Sequence, residues 1–484
     1  MSGRFAAGLV AVAVTLAGCS LAPAYKAPVV EVPESYKEAG PWQPAMPADQ
    51  HDRGDWWRDY GDATLDDLET RVDAANPDLA AAAARYAQAR AYSAETRAGL
   101  FPEVDAAAGA THNRQSDNRP LRSASQPDQY KDNLIGAQLS YELDLWGRVR
   151  NLVASGEATA QASAADLASV RLSLHAELAD DYIQLRGLDA QARLLDDTVA
   201  AYARALELTQ NRFSGGVASG LDVARAQTQL DSARAQASDV QARRALFEHA
   251  IASLVGTPAS KFSLPPLVVD LSEPTIPTGI PSTLLERRPD IAAAERRTAA
   301  ANADIGVARA AFFPSITLTA LGGYENTGGA DWLSAPNAFW SIGPRAFLTL
   351  FDAGRRQARV DQARAALDEA GERYRATTLT AFQQVEDNLA LIHLLGEEAR
   401  SEEAAVASAQ RTLNLALDRY RNGAVSYLEV VTSQTDALRA QRALLGLRDR
   451  ELQASVGLIR ALGGGWSADM AEEPSRAVAA AAAN

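Results

Sequence analysis

The sequence predicts a mainly α-helical protein with a β-barrel portion, built from one long unit used twice. Three observations carry this reading. The 484-residue chain is 47% hydrophobic with much of that alanine, which favours helix but packs thinly. Two stretches of it align with each other at an offset of 212 and then 207 residues. Each copy is interrupted by a pair of segments, roughly ten residues each, in which the apolar period changes from helical to alternating.

The chain begins with Arg4, the apolar run FAAGLVAVAVTL and then LAGC, the charge, length and small residues of a secretory signal over residues 1–18. Cys19 is the only cysteine, so it has no internal disulfide partner. Its position after Leu16, Ala17 and Gly18 resembles a bacterial lipobox, which implies cleavage before Cys19 and a covalent lipid on it. Ser20 in the next position then implies the outer membrane. An ordinary signal followed by an incidental cysteine is the alternative. The net charge is -14 and 43 of the 47 basic residues are arginine, which argues against a nucleic-acid partner. An acidic inner surface that favours cations and a merely solvated one both fit that charge. No later segment offers the roughly 20 apolar residues of a spanning helix, so any bilayer crossing must use strands.

Residues 19–75 precede the first copy and include a proline-rich stretch; 76–256 are the first copy and 257–287 a linker; 288–463 are the second copy and 464–484 a tail. Pro77-Asp78 aligns with Pro289-Asp290, Phe101-Pro102 with Phe313-Pro314, Gly147-Arg148 with Gly354-Arg355 and Gly216 with Gly423. The five-residue slip falls between Pro314 and Gly354. Each copy opens with a helix, Pro77 to about Leu100 and Pro289 to Phe312, started by proline in the first turn and stopped before the next proline. A β-hairpin follows, within 103–145 and within 315–351. Val104, Ala106 and Ala108, then Ile135, Ala137, Leu139 and Tyr141, alternate with smaller or polar residues. Strands of this length cross a bilayer when tilted, and aromatics such as Tyr130, Tyr324, Trp332 and Trp340 cluster near their ends. Four strands cannot close a barrel, so a spanning barrel needs several chains; two ordinary soluble hairpins are the alternative.

A helix of about 65 residues comes next. From Arg148 to Phe213 there is no proline, and a seam of 3.5-residue period runs through Leu174, Leu178, Asp181, Leu185, Leu188, Ala192, Leu195, Val199, Tyr202, Leu206, Thr209 and Phe213. Its image in the second copy runs from Ala381 through Asn388 to Tyr420. Asp181 and Asn388 fall at the same height, as register-setting polar residues or as positions turned toward water. Glycine turns at 214–220 and 421–427 end the long helices, and a shorter helix returns from each. The two shorter helices of a copy together match the long one, which predicts a coiled-coil hairpin with strands at one end and the glycine turn at the other.

The accumulation in order of DWWRDYGDATLDDL, YELDLWGRVR, NRFSGGVASGLDVARAQ, RRPDIAAAERRTAAANADIGVARAAFFPSITLTALGGY and DRYRNGAVSYLEVVTSQ resembles the TolC-like outer-membrane factors, in particular the lipoprotein subgroup that serves resistance-nodulation-division efflux pumps. The resemblance covers nearly the whole mature chain, and it implies an extended arm from about Leu21 to Pro47 and an equatorial belt from the segments near Trp56 to Ala75, Thr257 to Leu285 and Gly463 onward, so that 19–75 hold the anchor, the arm and the start of the equatorial region and 257–287 are its linker. It implies a homotrimer in which four transmembrane strands per chain form a twelve-stranded barrel, continued by a helical periplasmic tunnel. It also implies partners: a periplasmic adaptor, an inner-membrane transporter and outer-membrane lipid. The glycine turns become adaptor-docking tips, with Gly215, Gly216, Val217 and Ser219 in one and Asn422, Gly423, Val425 and Ser426 in the other. A resting gate implies charged residues near the tips, and Asp418, Arg419 and Arg421 with Asn211 and Arg212 are the candidates; a solvated helix end is the alternative for each.

The five histidines stand at no metal-ligand spacing, GGVASGLD lacks the lysine of a phosphate loop, and no nucleophile motif is present. The expectation is a channel without catalysis, metal or cofactor beyond the lipid on Cys19. A duct for protein secretion would share the fold, and a non-channel coiled-coil lipoprotein scaffold would share the helices but leave the alternating strands unexplained.

Overall fold

The computed structural model describes residues 20–39, 54–120, 125, 127–274, 276, 287–328 and 331–466. The signal segment, Cys19 and the tail beyond 466 lie outside the described residues. The helices are α1 (Ala63–Ala75), α2 (Pro77–Ala98), α3 (Arg148–Ser214), α4 (Gly220–Leu254), α5 (Pro289–Ala310), α6 (Arg355–Arg421) and α7 (Tyr427–Ala461), and the strands β1 (Glu103–Arg114), β2 (Gln129–Glu142), β3 (Ser315–Asn326) and β4 (Ala338–Phe347). All matching elements of the two copies but one have equal lengths, 22 residues in α2 and α5, 12 in β1 and β3, 67 in α3 and α6, and 35 in α4 and α7, whereas β2 has 14 and β4 has 10. The chain divides into two compact units, and each draws on both copies.

One unit holds Tyr86–Ser163 and Ala293–Tyr374 with the arm up to Val29. Its four strands form one antiparallel sheet in the order β1-β2-β3-β4, so the central pairing, β2 with β3, joins the two copies. The period-2 pattern separates the faces. Val104, Leu139, Ala320 and Ile342 form one row across the sheet, and Ala106, Ala137, Gly322 and Trp340 the next on the same face. The opposite face carries the rows Asp105, Gln138, Leu321, Ser341 and Glu103, Ser140, Thr319, Gly343. One face is thus apolar and the other mainly polar, and among the described residues the outer edges of β1 and β4 pair with no strand.

The passage from strand to helix is capped in both copies. Asp144 accepts hydrogen bonds from the Val149 and Arg150 amides at 3.1 and 2.9 Å, and Arg148 grips Glu142 through two bonds of 2.8 and 2.6 Å. Asp352 does the corresponding work for the Gly354 and Arg356 amides, both at 3.2 Å. The arm lies along α5: Arg309 donates to the Leu21 carbonyl at 3.1 Å, Asn302 to the Pro23 carbonyl at 2.9 Å, and the Tyr25 hydroxyl to Glu295 at 2.5 Å.

The other unit holds Val30–Arg85, Ala164–Ala292 and the chain from Arg375 on. Its core joins Trp56, Trp57, Tyr60, Leu65, Leu68 and Val72 to Leu174, Leu178, Tyr182 and Leu185 of α3, with Ile251 of α4 and Val456 of α7. Each fully buried leucine here contributes about 1.5–3 kcal/mol. The seam behaves as its spacing requires. Leu174, Leu178, Leu185, Leu188, Leu195, Tyr202, Leu206 and Thr209 are buried, and in the second copy Ala381, Val385, Leu395, Ala399, Ala416 and Tyr420 are buried. Phe213, the last seam position, is exposed. Asn388 is half-buried and donates to the Gln384 carbonyl at 2.6 Å, whereas burial raises the Asp181 carboxyl to about 6.

Candidate functional site

The two glycine turns are the same structure. Gly216 and Gly423 both have φ of 75°, a left-handed conformation that costs a residue with a Cβ about 1–2 kcal/mol. The Val217 amide reaches back to the Arg212 carbonyl at 2.8 Å and the Gly216 amide to Phe213 at 2.9 Å; the Ala424 amide reaches Arg419 at 2.9 Å and Gly423 reaches Tyr420 at 3.0 Å. These are paired Schellman closures, which satisfy carbonyls that the helix ends leave free. One glycine per turn is required. Gly215, matched by Asn422, has an ordinary backbone, and a methyl added there meets only carbonyls at van der Waals distance.

Beyond that shared frame the tips differ. Ser219 opens α4 with a capping box, its hydroxyl accepting from the Asp222 amide while the Asp222 carboxylate accepts from the Ser219 amide, both at 3.2 Å. Ser426 opens α7 with no side-chain cap bond. Tyr427 stands where the first tip has Gly220, and at 1% exposure its ring faces inward onto Tyr420, 5.3 Å between centroids. Val425 is half-buried against the same cluster. The surfaces are therefore set by other residues than the glycine-to-tyrosine contrast suggests: Phe213 (51% exposed), Val217 (69%) and Leu221 make the first tip apolar, while the second presents Ala424, Leu428 and Arg421.

The charged candidates near the tips fall into two groups. Arg212 is committed within the chain: its guanidinium lies 4.7 Å over the Tyr420 ring and donates to the Tyr420 and Arg421 carbonyls at 2.9 and 3.3 Å. It thereby ties the end of α3 to the end of α6, where a cation also meets the negative end of the helix dipole. Thr209 adds a contact to the Tyr420 hydroxyl at 3.4 Å. Asp418 and Arg421 pair at 3.2 Å and Arg419 approaches Glu429 at 3.5 Å, all of them well exposed. Asn211 is exposed.

Comparison with known proteins connects these features. Residues 70–257 and 280–464 match the family model described as outer membrane efflux protein. The chain belongs to the outer membrane efflux protein family. It is similar to the antibiotic efflux pump outer membrane protein ArpC of Pseudomonas putida, 35% identical over 95% of this chain and 96% of that one. Similarity also extends to the cation efflux system protein CusC of Escherichia coli, 29% identical over 94% of this chain and 97% of that one. Among solved structures, the Campylobacter jejuni CmeC outer membrane channel superposes with a TM-score of 0.87 at 26% identity, covering 93% of this chain and 96% of that one. The chain is accordingly an outer membrane efflux channel, TolC-like in fold, and the scaffold reading has no support left.

Within this efflux channel, two buried charge systems escaped sequence reasoning. His175 on α3 lies 2.5 Å from Glu69 through Nδ1 and 3.1 Å from Asp73 through Nε2, and stacks on Trp57 at 4.4 Å. With both acids ionised the ring between them must carry both protons, because carboxylates only accept. Burial acts against that imidazolium, but its bonds to Asp73 and Glu69 outweigh it and its pKa is raised. Burial raises the Glu69 carboxyl to about 7, with His175 pulling it down, while Arg171 and His175 overcome burial to hold Asp73 at about 2. Elsewhere Asp189 accepts from Arg186 at 2.9 Å, Arg244 at 2.6 Å and the Leu267 amide at 3.1 Å, while Arg186 and Arg244 donate to the Pro265 and Leu264 carbonyls. That network fastens the linker after α4 to α3. Beside it a cleft of about 470 Å³ is lined by Arg186, Gly187, Glu273, Asp449 and Glu451, with burial raising Asp449 to about 7. Among the described residues no group of three or more His, Cys, Asp or Glu is placed to hold a metal ion.

Proposed function

We propose that this channel works as a homotrimer, the passive exit duct of a tripartite pump whose other parts are a periplasmic adaptor and an inner-membrane transporter of the resistance-nodulation-division type. The observation that supports it most is the sheet: four strands with one apolar face, one mainly polar face and two unpaired edges. In lipid each unpaired backbone group costs several kcal/mol, so such edges must be closed by further copies. Three copies give the twelve-stranded barrel of the TolC-like fold, its polar face lining the pore.

The remaining roles follow from position. Cys19 carries the lipid, a reading supported by its neighbour Ser20, which donates to Asn151 in the first turn of α3, close after β2. Gly215, Gly216, Val217 and Ser219 with Asn422, Gly423, Val425 and Ser426 form the docking tips. Asp418, Arg419 and Arg421, with Asn211 and Arg212, form the gate region, in which the exposed pairs are free to exchange partners between chains and Arg212 holds the tips of its own chain together. The chain catalyses nothing and uses no cofactor; the transporter supplies the energy. The test is conductance in a planar bilayer by purified protein that runs as a heat-modifiable trimer, with restored resistance in a strain deleted for the gene. Monomeric protein, or trimers that conduct nothing, would overturn the proposal.

A further inference from the structure

The charges of the four strands are sorted by face. Their five acidic residues, Glu103, Asp105, Asp132, Glu142 and Glu325, all lie on the mainly polar face, and the apolar face carries none. The basic residues are sorted the other way. His112, Arg114 and Lys131 stand on the apolar face, and only Arg345 of β4 is on the polar one.

The three basic residues of the apolar face are also sorted by height. Lys131 lies directly opposite His112, and Arg114 lies opposite Gln129, one step nearer the hairpin end. Toward the helices the same face continues through Ile135, Ala137 and Leu139 on β2 and Leu318, Ala320 and Tyr324 on β3. Asn133, bonded to Asn326 at 3.4 Å, marks the change from one region to the other. At the helix end this face carries no basic side chain within the strands. The helices adjoin that end and are periplasmic in an outer membrane channel of this fold, so the hairpin end with its cations faces the exterior. A charge on the lipid side is costly at mid-membrane and nearly free at the interface, which is where these residues stand.

The chain itself supplies no anion that satisfies them. His112 reaches the Gln129 amide oxygen at 3.4 Å, and Arg114 stands 4.0 Å from Asp117 with both side chains exposed, a pair that contributes little. Among the described residues Lys131 has no ion pair. Arg114 and Lys131 are diagonal neighbours across the two strands, roughly 7–8 Å apart, a spacing that one phosphate group can bridge.

We propose that His112, Arg114 and Lys131 form a binding surface for the phosphates of the outer-leaflet glycolipid, lipopolysaccharide, whose acyl chains then cover the apolar rows at Ile135 and Tyr324. Arg114 and Lys131 supply charge-assisted bonds to the phosphate oxygens, and His112 supplies a ring N–H. This assignment rests on the reading above that the polar face lines the pore.

The test titrates purified trimer in detergent with fluorescent lipopolysaccharide, with the same glycolipid stripped of its phosphates, and with phosphatidylglycerol. A basic residue beside an anionic lipid surface contributes about fivefold in affinity, so Arg114→Gln and Lys131→Gln should each weaken lipopolysaccharide binding about fivefold, and the two together about 25-fold. Removing the phosphates should bring wild type down to the double variant, while Arg114→Lys with Lys131→Arg should bind as wild type does. Arg345→Gln, on the pore face, should change nothing. Should the double variant fail to form trimers, the two single variants are read in its place. Equal binding by wild type and these variants overturns the assignment, and so does phosphatidylglycerol that wild type holds as tightly and the same variants lose. A loss confined to Arg345→Gln, in trimers that conduct, instead reverses the two faces and with them the pore reading. A monomeric unsubstituted chain removes the trimeric reading and this inference with it.

Discussion

Arg212→Ala should release the two tips of one chain from each other. The guanidinium makes bonds of 2.9 and 3.3 Å to the last carbonyls of α6 and covers the Tyr420 ring at 4.7 Å. A charged donor contributes about 1.5–3 kcal/mol and a cation over a ring about 0.5–2 kcal/mol. These carbonyls are near enough to solvent for water to replace the lost donor, so the low ends apply and the sum is about 2 kcal/mol. That is roughly a 30-fold change in a local opening equilibrium, since 1.4 kcal/mol is tenfold. The amides of Gly423 and Ala424, bonded to Tyr420 and Arg419, are the reporters. Their hydrogen exchange should accelerate about 30-fold, with amides around Leu178 and Leu185 unchanged. Arg212→Lys should fall between, because it keeps a donor but loses the planar stack. If Arg212→Ala changes conductance while exchange at the tips stays as it was, Arg212 acts between chains and the latch is wrong.

Other consequences are as direct. Gly216→Val and Gly423→Val should abolish resistance while heat-modifiable trimers persist, and Gly215→Ala should be silent; lost trimers would make the first two folding residues instead. Asp418→Ala should raise single-channel conductance, and so should Arg421→Ala if their 3.2 Å pair contributes to the closed state; unchanged conductance would remove both from the gate. The raised pKa of His175 means its stabilisation is complete below the unfolded value of 6.5 and is lost as pH rises through the folded one. The unfolding free energy of wild type should therefore exceed that of His175→Phe by about 3 kcal/mol at pH 6, the cost of a broken buried pair, and approach it in alkali; a pH-independent gap would refute the imidazolium. Burial raises Asp449 from 3.8 to about 7, which favours the neutral acid and costs stability as pH climbs between those values. Asp449→Asn should match wild type near pH 4 and exceed it by about 2–4 kcal/mol near pH 8, and parallel pH profiles would count against the assignment.

What the sequence could show depended on how local each signal was. The long helices, the seam and the strand faces were legible because period and duplication are properties of short windows compared with each other. Helix α1 was not, since residues Trp56 to Ala75 were assigned only by resemblance to an equatorial segment. Asp62 caps it at 2.7 Å to the Thr64 amide, and Asn76 both ends it and caps α2. Missing α1 also hid the His175 cluster. Glu69 and Asp73 are four residues apart, as are Arg171 and His175, so two helices present matched pairs to each other. The latch was hidden for another reason: Arg212 and Tyr420 belong to different copies, and the duplication gives no ground for burying Tyr420 while its image Phe213 stays in solvent.

The same asymmetry explains why the arm has a single seat although the scaffold offers two similar helices. Glu295, Asn302 and Arg309 recur every seven residues, one face of α5, and each holds one point of the arm. Their images on α2 are Ala83, Arg90 and Arg97, which preserve only the arginine. Arginine alone therefore cannot direct the arm. Gly306, whose image is Ala94, completes the distinction: a methyl at 306 would run into the Asn151 side chain and the Cβ of Ala22. The groove that receives the arm is thus made by removing one methyl, adding a glutamate and exchanging an arginine for an asparagine.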